Sequence, residues 1–438
     1  MTQADLLIKN AQIFLANGDI FQGDLRITQG KIAEIGENLE VAEEKVIDAE
    51  GLTLLPGVID PQVHFREPGL EHKEDLFTAS CACVMGGVTS FLEMPNTRPL
   101  TTTQEALDDK LQRASQKCLV NYGFFMGATS ENLDDLRDAT PACGIKIFMG
   151  SSHGALLVST EQEIEPIFAK GSRLIAVHAE DQGRIVERKK EYHGITDVAI
   201  HSTIQDETAA LNATKLALKL SNKYQRRLHI LHLSTGIEAE YLREHKPSWV
   251  STEVTPQHLV LNTDSYAQIG SFAQMNPPLR SPENNEILWR ALKDGVIDCI
   301  ATDHAPHTLE EKAQPYPNSP SGMPGVETSL PVMLTKFYKE GRCSLGDIVR
   351  WMCSAPAKLY NIPHKGKIEL DYDADLILVD LNTYRPVLRE NVQSKCGWSP
   401  FEGWNLTGYP VYTIVGGQVA LEKGIINTSV RGSALSFG

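Results

Sequence analysis

Between about Thr53 and Ala301 the chain alternates short apolar, strand-like runs with stretches of helical periodicity, and this alternation constrains its fold more than any other feature. The runs cover residues 54–65, 89–94, 119–125, 144–149, 174–178, 228–233, 250–254 and 297–302. Helical spacing appears over 74–85, 103–114, 204–220 and 282–292, with Ser202 or Thr203 placed to cap the third. Eight β/α units over roughly 250 residues suit a closed parallel barrel of the (β/α)8, TIM-like kind. A doubly wound sheet is the competing architecture, but it gathers chemistry at one switch point instead of at many strand ends. Both chain ends read as short strands: 6–8, 12–15, 24–28, 31–35 and 45–48 at the start, then 366–370, 375–380, 412–415, 418–421 and 425–427. Gly416-Gly417 suits a hairpin turn. The predicted fold is therefore α/β, a barrel over 53–360 with a small β-sandwich domain formed from both ends, 1–52 and 361–438.

Composition narrows the partners. Lys and Arg number 41 against 56 Asp and Glu, a formal charge of −15. No cationic excess exists to displace counterions, which argues against nucleic acid or an anionic membrane as the main partner. No apolar run reaches membrane-spanning length, and the opening residues lack a signal-peptide pattern. Eight scattered cysteines, mostly inside apolar segments, read as buried free thiols in a reducing cytoplasm.

Barrel enzymes carry their chemistry at the C-terminal ends of the strands. Alternate residues of an extended strand share a face, so Gln62, His64 and Arg66 point together. Other strand ends supply Asn96, Lys146, His178, His232, Asp303, His304 and His307. Imidazole and oxygen donors in this number suit a borderline metal ion. Lys146 either snorkels to the barrel mouth or, its amine neutralised by burial, takes up carbon dioxide and bridges two metals as a carbamate. Asp303 is expected both to ligate metal and to accept a proton from the water that metal activates. Arg66 is suited to a paired contact with a carboxylate, and Asn96 and Asn276 either close turns or contact substrate. His153 is expected to serve loop packing.

The strings His64-Phe65-Arg66-Glu67-Pro68-Gly69, Met94-Pro95-Asn96-Thr97, Met275-Asn276-Pro277-Pro278-Leu279-Arg280, Ala301-Thr302-Asp303-His304-Ala305-Pro306-His307-Thr308 and Ser321-Gly322-Met323-Pro324-Gly325-Val326-Glu327 are long and unusual. Through them the chain resembles the dihydroorotases of the amidohydrolase superfamily over nearly its full length. The resemblance implies reversible cyclisation of N-carbamoyl-L-aspartate to L-dihydroorotate in pyrimidine synthesis, with one or two zinc ions per subunit. It implies metal ligation by His64, N6-carboxylated Lys146, His178, His232 and Asp303. It also implies that Arg66, Asn96 and His307 grip the substrate carboxylate and that Asn276 contacts the ring amide. Residues 305–324 would cover the pocket, and self-association as a homodimer or homotetramer is expected. Many relatives carry His-x-His on the first strand where this chain has Gln62-Val63-His64, so Gln62 is expected to be a weak ligand at most. A hydantoinase, dihydropyrimidinase or allantoinase is the alternative enzyme, and a catalytically silent assembly partner is the alternative class.

Overall fold

The computed structural model describes residues 6–152 and 154–438; His153 lies outside them. Eight parallel barrel strands follow in order: Val58–Val63, Val88–Glu93, Asn121–Phe124, Ile145–Phe148, Ile175–His178, Leu228–Ile230, Val250–Val254 and Cys299–Ile300. The first three pair in one sheet, and the last five pair consecutively in another, which also takes in Met126–Gly127. Phe125 separates that short strand from the third barrel strand, so one chain segment joins the two sheets. On the other side the barrel closes through the parallel bridge of Val63 to His304, with His64 N–H donating to the His304 carbonyl at 2.8 Å. The fold is thus an α/β, TIM-barrel-like architecture with a separate mixed sheet.

That second sheet has nine strands and its own apolar core, including Ile8, Ile13, Leu25, Ile27, Leu376 and Ile414. The strand Thr53–Pro56 lies at its centre, parallel to Leu6–Phe14 and antiparallel to Leu376–Val379, and so ties the two chain ends together. The predicted run 54–65 is therefore two strands in two sheets, divided at Gly57. A Cβ on Gly57 would lie 2.1 Å from Thr89 Oγ1, so only glycine lets the chain pass there. Residues 366–370 form no strand: Ile368 enters the small core without pairing, while Lys365 is held by Asp373 and Asp375. At the Gly416-Gly417 turn, φ is 52° and 79°, the left-handed backbone a tight hairpin needs.

Helix starts follow local chemistry. Asp75 caps Leu76–Gly86 in a reciprocal box with Thr78, and Thr103 caps Gln104–Lys117. The predicted helix over 204–220 is corrected in its start. Its cap is Asp206, which accepts from Ala209 N–H, while Ser202 belongs to the separate short helix Ile200–Ile204. The backbone turns between them at Gln205.

All eight cysteines are free thiols, seven of them buried, with desolvation pushing Cys83, Cys118 and Cys299 well above the ordinary thiol range. Among the described residues no helix is long and apolar enough to cross a membrane.

Candidate active site

The C-terminal mouth of the barrel encloses a cavity of about 170 Å³ whose walls include Gln62, His64, Arg66, Asn96, Lys146, His178, His232, Asn276, Asp303 and His307. These positions, far apart in the chain and expected together at the strand ends, share one space. Three of them, Arg66, His232 and Asp303, hold left-handed backbone at φ 69°, 35° and 47°. Such conformations cost on the order of 1–3 kcal/mol each and persist only where surroundings over-determine them.

Two facing pairs form the floor. His64 donates from Nδ1 to Asn96 Oδ1 at 2.7 Å, which leaves the Nε2 lone pair facing Asp303 Oδ1 at 3.1 Å. His178 donates from Nε2 to Glu180 Oε2 at 2.7 Å, and its Nδ1 accepts from His232 Nε2 at 2.9 Å. Burial lowers the pKa of both His64 and His232. Gln62 Oε1, Lys146 Nζ and His232 Nδ1 are buried without a hydrogen-bond partner. Inward lone pairs and orphaned polar atoms at such spacing fit a bound divalent cation.

Gln62 behaves as a second-rank participant. Its Nε2 donates to Asp303 Oδ1 at 3.2 Å, so its amide orients the carboxylate. Glu180 is buried, yet the His178 hydrogen bond outweighs the upward push of burial and holds it below the ordinary carboxylate range.

The cofactor expectation is corrected. Among the described residues, the one group of three His, Cys, Asp or Glu side chains with ligand atoms within 4.8 Å of one another is His229, Glu253 and Cys299, and it contains no lysine. These residues lie on three adjacent strands, and Glu253 Oε1 accepts from the His232 backbone N–H at 3.3 Å, below the cavity floor. Zinc bridged by a carboxylated Lys146 is therefore withdrawn. Lys146 stands as a buried amine, lowered to about 7 by desolvation, with Nζ 4.5 Å from the centre of the Phe148 ring. The sequence hinted at the trio only through polar residues inside otherwise apolar strands, a signal that a packed core histidine gives equally well.

Over the cavity, Arg66 donates from Nε to the Pro306 carbonyl at 3.1 Å and lies 3.3 Å from His307 Nε2. No carboxylate of the described residues comes within ion-pair reach of its guanidinium, which burial lowers to about 10. His307 Nδ1 accepts from Lys73 Nζ at 3.0 Å, and its Nε2 donates to the Ser321 carbonyl at 3.1 Å. Asn276 Oδ1 accepts from His201 Nε2 at 2.8 Å. Ser151, Glu180, His201 and Gln205 also surround the site; Ser151 and Glu180 follow barrel strands but in no unusual string, and His201 and Gln205 lie in and just after a short helix, so the sequence does not mark them.

A closed parallel barrel with imidazoles and a carboxylate converging at its mouth defines a metal-dependent hydrolase. The chain belongs to the amidohydrolase family, whose match spans residues 53–420. It is 37% identical to the dihydroorotase of Methanosarcina mazei over 97% of this chain and 95% of that one. It is 34% identical to the L-hydantoinase of Paenarthrobacter aurescens over 96% and 95%. Among solved structures it superposes on the L-hydantoinase (dihydropyrimidinase) from Arthrobacter aurescens with a TM-score of 0.94 at 32% identity, covering 99% of this chain and all of that one. These likenesses support the general activity of a cyclic amidohydrolase.

Proposed function

We propose that this protein is a dihydroorotase, interconverting N-carbamoyl-L-aspartate and L-dihydroorotate in pyrimidine synthesis. The observation that carries the reading is Arg66: a buried guanidinium facing the cavity with no internal carboxylate partner. An unpaired buried charge is costly, and a substrate carboxylate relieves it with a planar, two-pronged contact. Asn96 and His307 complete the grip on that carboxylate, and Asn276 contacts the ring amide. His64, His178, His232 and Asp303 would hold a divalent cation. Bound there, such an ion would supply Lewis acidity to water and to the ring carbonyl. Asp303 takes the proton of the attacking water and delivers it to the departing ring nitrogen, and ring closure runs the same transfers in reverse. Division of the chain at 1–52, 53–360 and 361–438, a cytoplasmic location and assembly as a homodimer or homotetramer belong to the same proposal. Sedimentation reads the assembly.

A second reading has its own support. The Arthrobacter aurescens structure favours a hydantoinase or dihydropyrimidinase more than a dihydroorotase. Hydantoin carries no ring carboxylate, so that reading leaves Arg66 without a counter-ion. Turnover of L-dihydroorotate, hydantoin and allantoin by wild type and Arg66→Lys separates the two. The first reading expects dihydroorotate to be preferred, with its KM raised roughly tenfold or more in Arg66→Lys, as loss of a charged hydrogen bond implies. Faster hydantoin turnover by wild type, indifferent to Arg66→Lys, establishes the second. No turnover of any of the three leaves the silent assembly partner.

A further inference from the structure

We infer that Glu180 is a positioning residue that sets the tautomer of His178 and thereby aims its Nδ1 lone pair at the cation. The inference rests on reading His178 as a cation ligand and adds the group that makes it one. Neutral imidazole has one N–H and one lone pair, and whichever nitrogen meets a fixed acceptor keeps the proton. Here that nitrogen is Nε2, 2.7 Å from Glu180 Oε2. Glu180 Oε2 also takes the Ser151 hydroxyl and serves as the acceptor, so the proton sits on Nε2 and the lone pair on Nδ1, the atom that meets His232 Nε2 at 2.9 Å.

Glu180 is itself held in place. It is buried, and its Oε2 also accepts from Ser151 Oγ at 2.6 Å. Turned so that its nitrogen faces the surrounding acceptors, the Gln205 amide donates to both Glu180 oxygens at 3.0 Å and to Asn276 Oδ1 at 3.0 Å. The carboxylate therefore has no alternative rotamer without breaking several bonds. On the cavity side the His178 ring meets His232, edge to face at 4.7 Å, and the stacked face of Phe148 at 6.3 Å, so among the described residues Glu180 is the one carboxylate that holds it. An acceptor behind a coordinating imidazole also raises its basicity, which strengthens its hold on metal.

The test uses full-length protein stripped of metal, with 15N-labelled histidine, in wild type, Glu180→Gln and Glu180→Ala. In wild type the His178 resonance should be that of the Nε2-protonated tautomer. Glu180→Ala should mix the tautomers and weaken Mn2+ binding, read by titration calorimetry, by roughly 10–100-fold. Glu180→Gln keeps an acceptor oxygen without the charge, so it should retain the tautomer with intermediate affinity; it also serves if the alanine variant fails to fold. An Nδ1-protonated His178 in metal-free wild type overturns the inference. So does Mn2+ affinity in Glu180→Gln equal to wild type. Mn2+ affinity unchanged in His178→Ala would instead remove the ligand reading beneath it, so the two failures are told apart.

Discussion

At the scale of single residues, the cavity sets an imidazole and a carboxylate face to face. His64 Nε2 and Asp303 Oδ1, 3.1 Å apart, are both lone-pair bearers once Asn96 has taken the other imidazole proton. That arrangement is unfavourable alone and would be favourable around a cation. Asp303→Asn removes the proton acceptor while keeping nearly the same shape. Turnover should fall by about 10²–10⁴-fold, the usual contribution of a positioned acid–base group, with KM little changed. Near-normal kcat in that variant would end the proton-transfer assignment. The residue types at this site were legible in the sequence because strand ends and unusual strings mark them. Their pairings were not: nothing local tells Gln62 to turn its amide to Asp303, or Glu180 to stand behind His178.

Among the elements, residues 305–324 do the most to shape the cavity. Fully buried Lys312 anchors them, donating from Nζ to the carbonyls of Gln274 and Pro320 at 3.0 and 2.9 Å, and Trp398 Nε1 donates to the His307 carbonyl at 2.8 Å. Lys312→Met takes its donor from the Pro320 carbonyl, while the Gln274 carbonyl keeps Gly322 N–H at 3.0 Å, so the loss is about 1–3 kcal/mol. Amide exchange should rise through 305–324 and kcat/KM should drop about tenfold, while unchanged exchange there would refute the anchoring role. Glu327 joins the barrel to the segment that follows the small-sheet strand Leu376–Val379, accepting from Gln393 N–H at 2.9 Å. Burial raises its carboxyl to about 8. The folded state therefore holds this proton more tightly than the unfolded chain, so its stabilisation is complete below the ordinary Glu range and is lost as pH rises through about 8. Glu327→Gln keeps an acceptor and cannot ionise. Thermal unfolding should find the two proteins alike at acidic pH and the variant the more stable at alkaline pH; parallel pH profiles would contradict the assignment.

For the molecule as a whole, the two chain ends are structural parts of the barrel's surroundings. The strand Thr53–Pro56 joins both ends in one sheet, and the final residues run back along the third barrel strand. Tyr122 N–H donates to the Ser433 carbonyl at 3.1 Å, and Leu435 N–H donates to the Tyr122 carbonyl at 2.8 Å. Leu435 and Phe437 join Phe125, Leu174 and Tyr360 in an apolar cluster. Deleting 430–438 exposes that cluster, at about 1.5–3 kcal/mol per lost large side chain. The unfolding temperature should fall by several degrees, and an unchanged value would show the tail to be dispensable.

The sequence by itself determined the alternation of strands and helices, the gathering of polar residues at strand ends, and the return of both ends to β structure. These follow from side-chain periodicity and turn chemistry, which act over a few residues. Tertiary structure alone decided that 54–65 divides between two sheets and that 366–370 stays unpaired. It also decided that His229, Glu253 and Cys299, rather than Lys146, form the compact metal-capable trio. Those outcomes depend on strand register and on closure between Val63 and His304, contacts between positions far apart in the chain that no local pattern encodes.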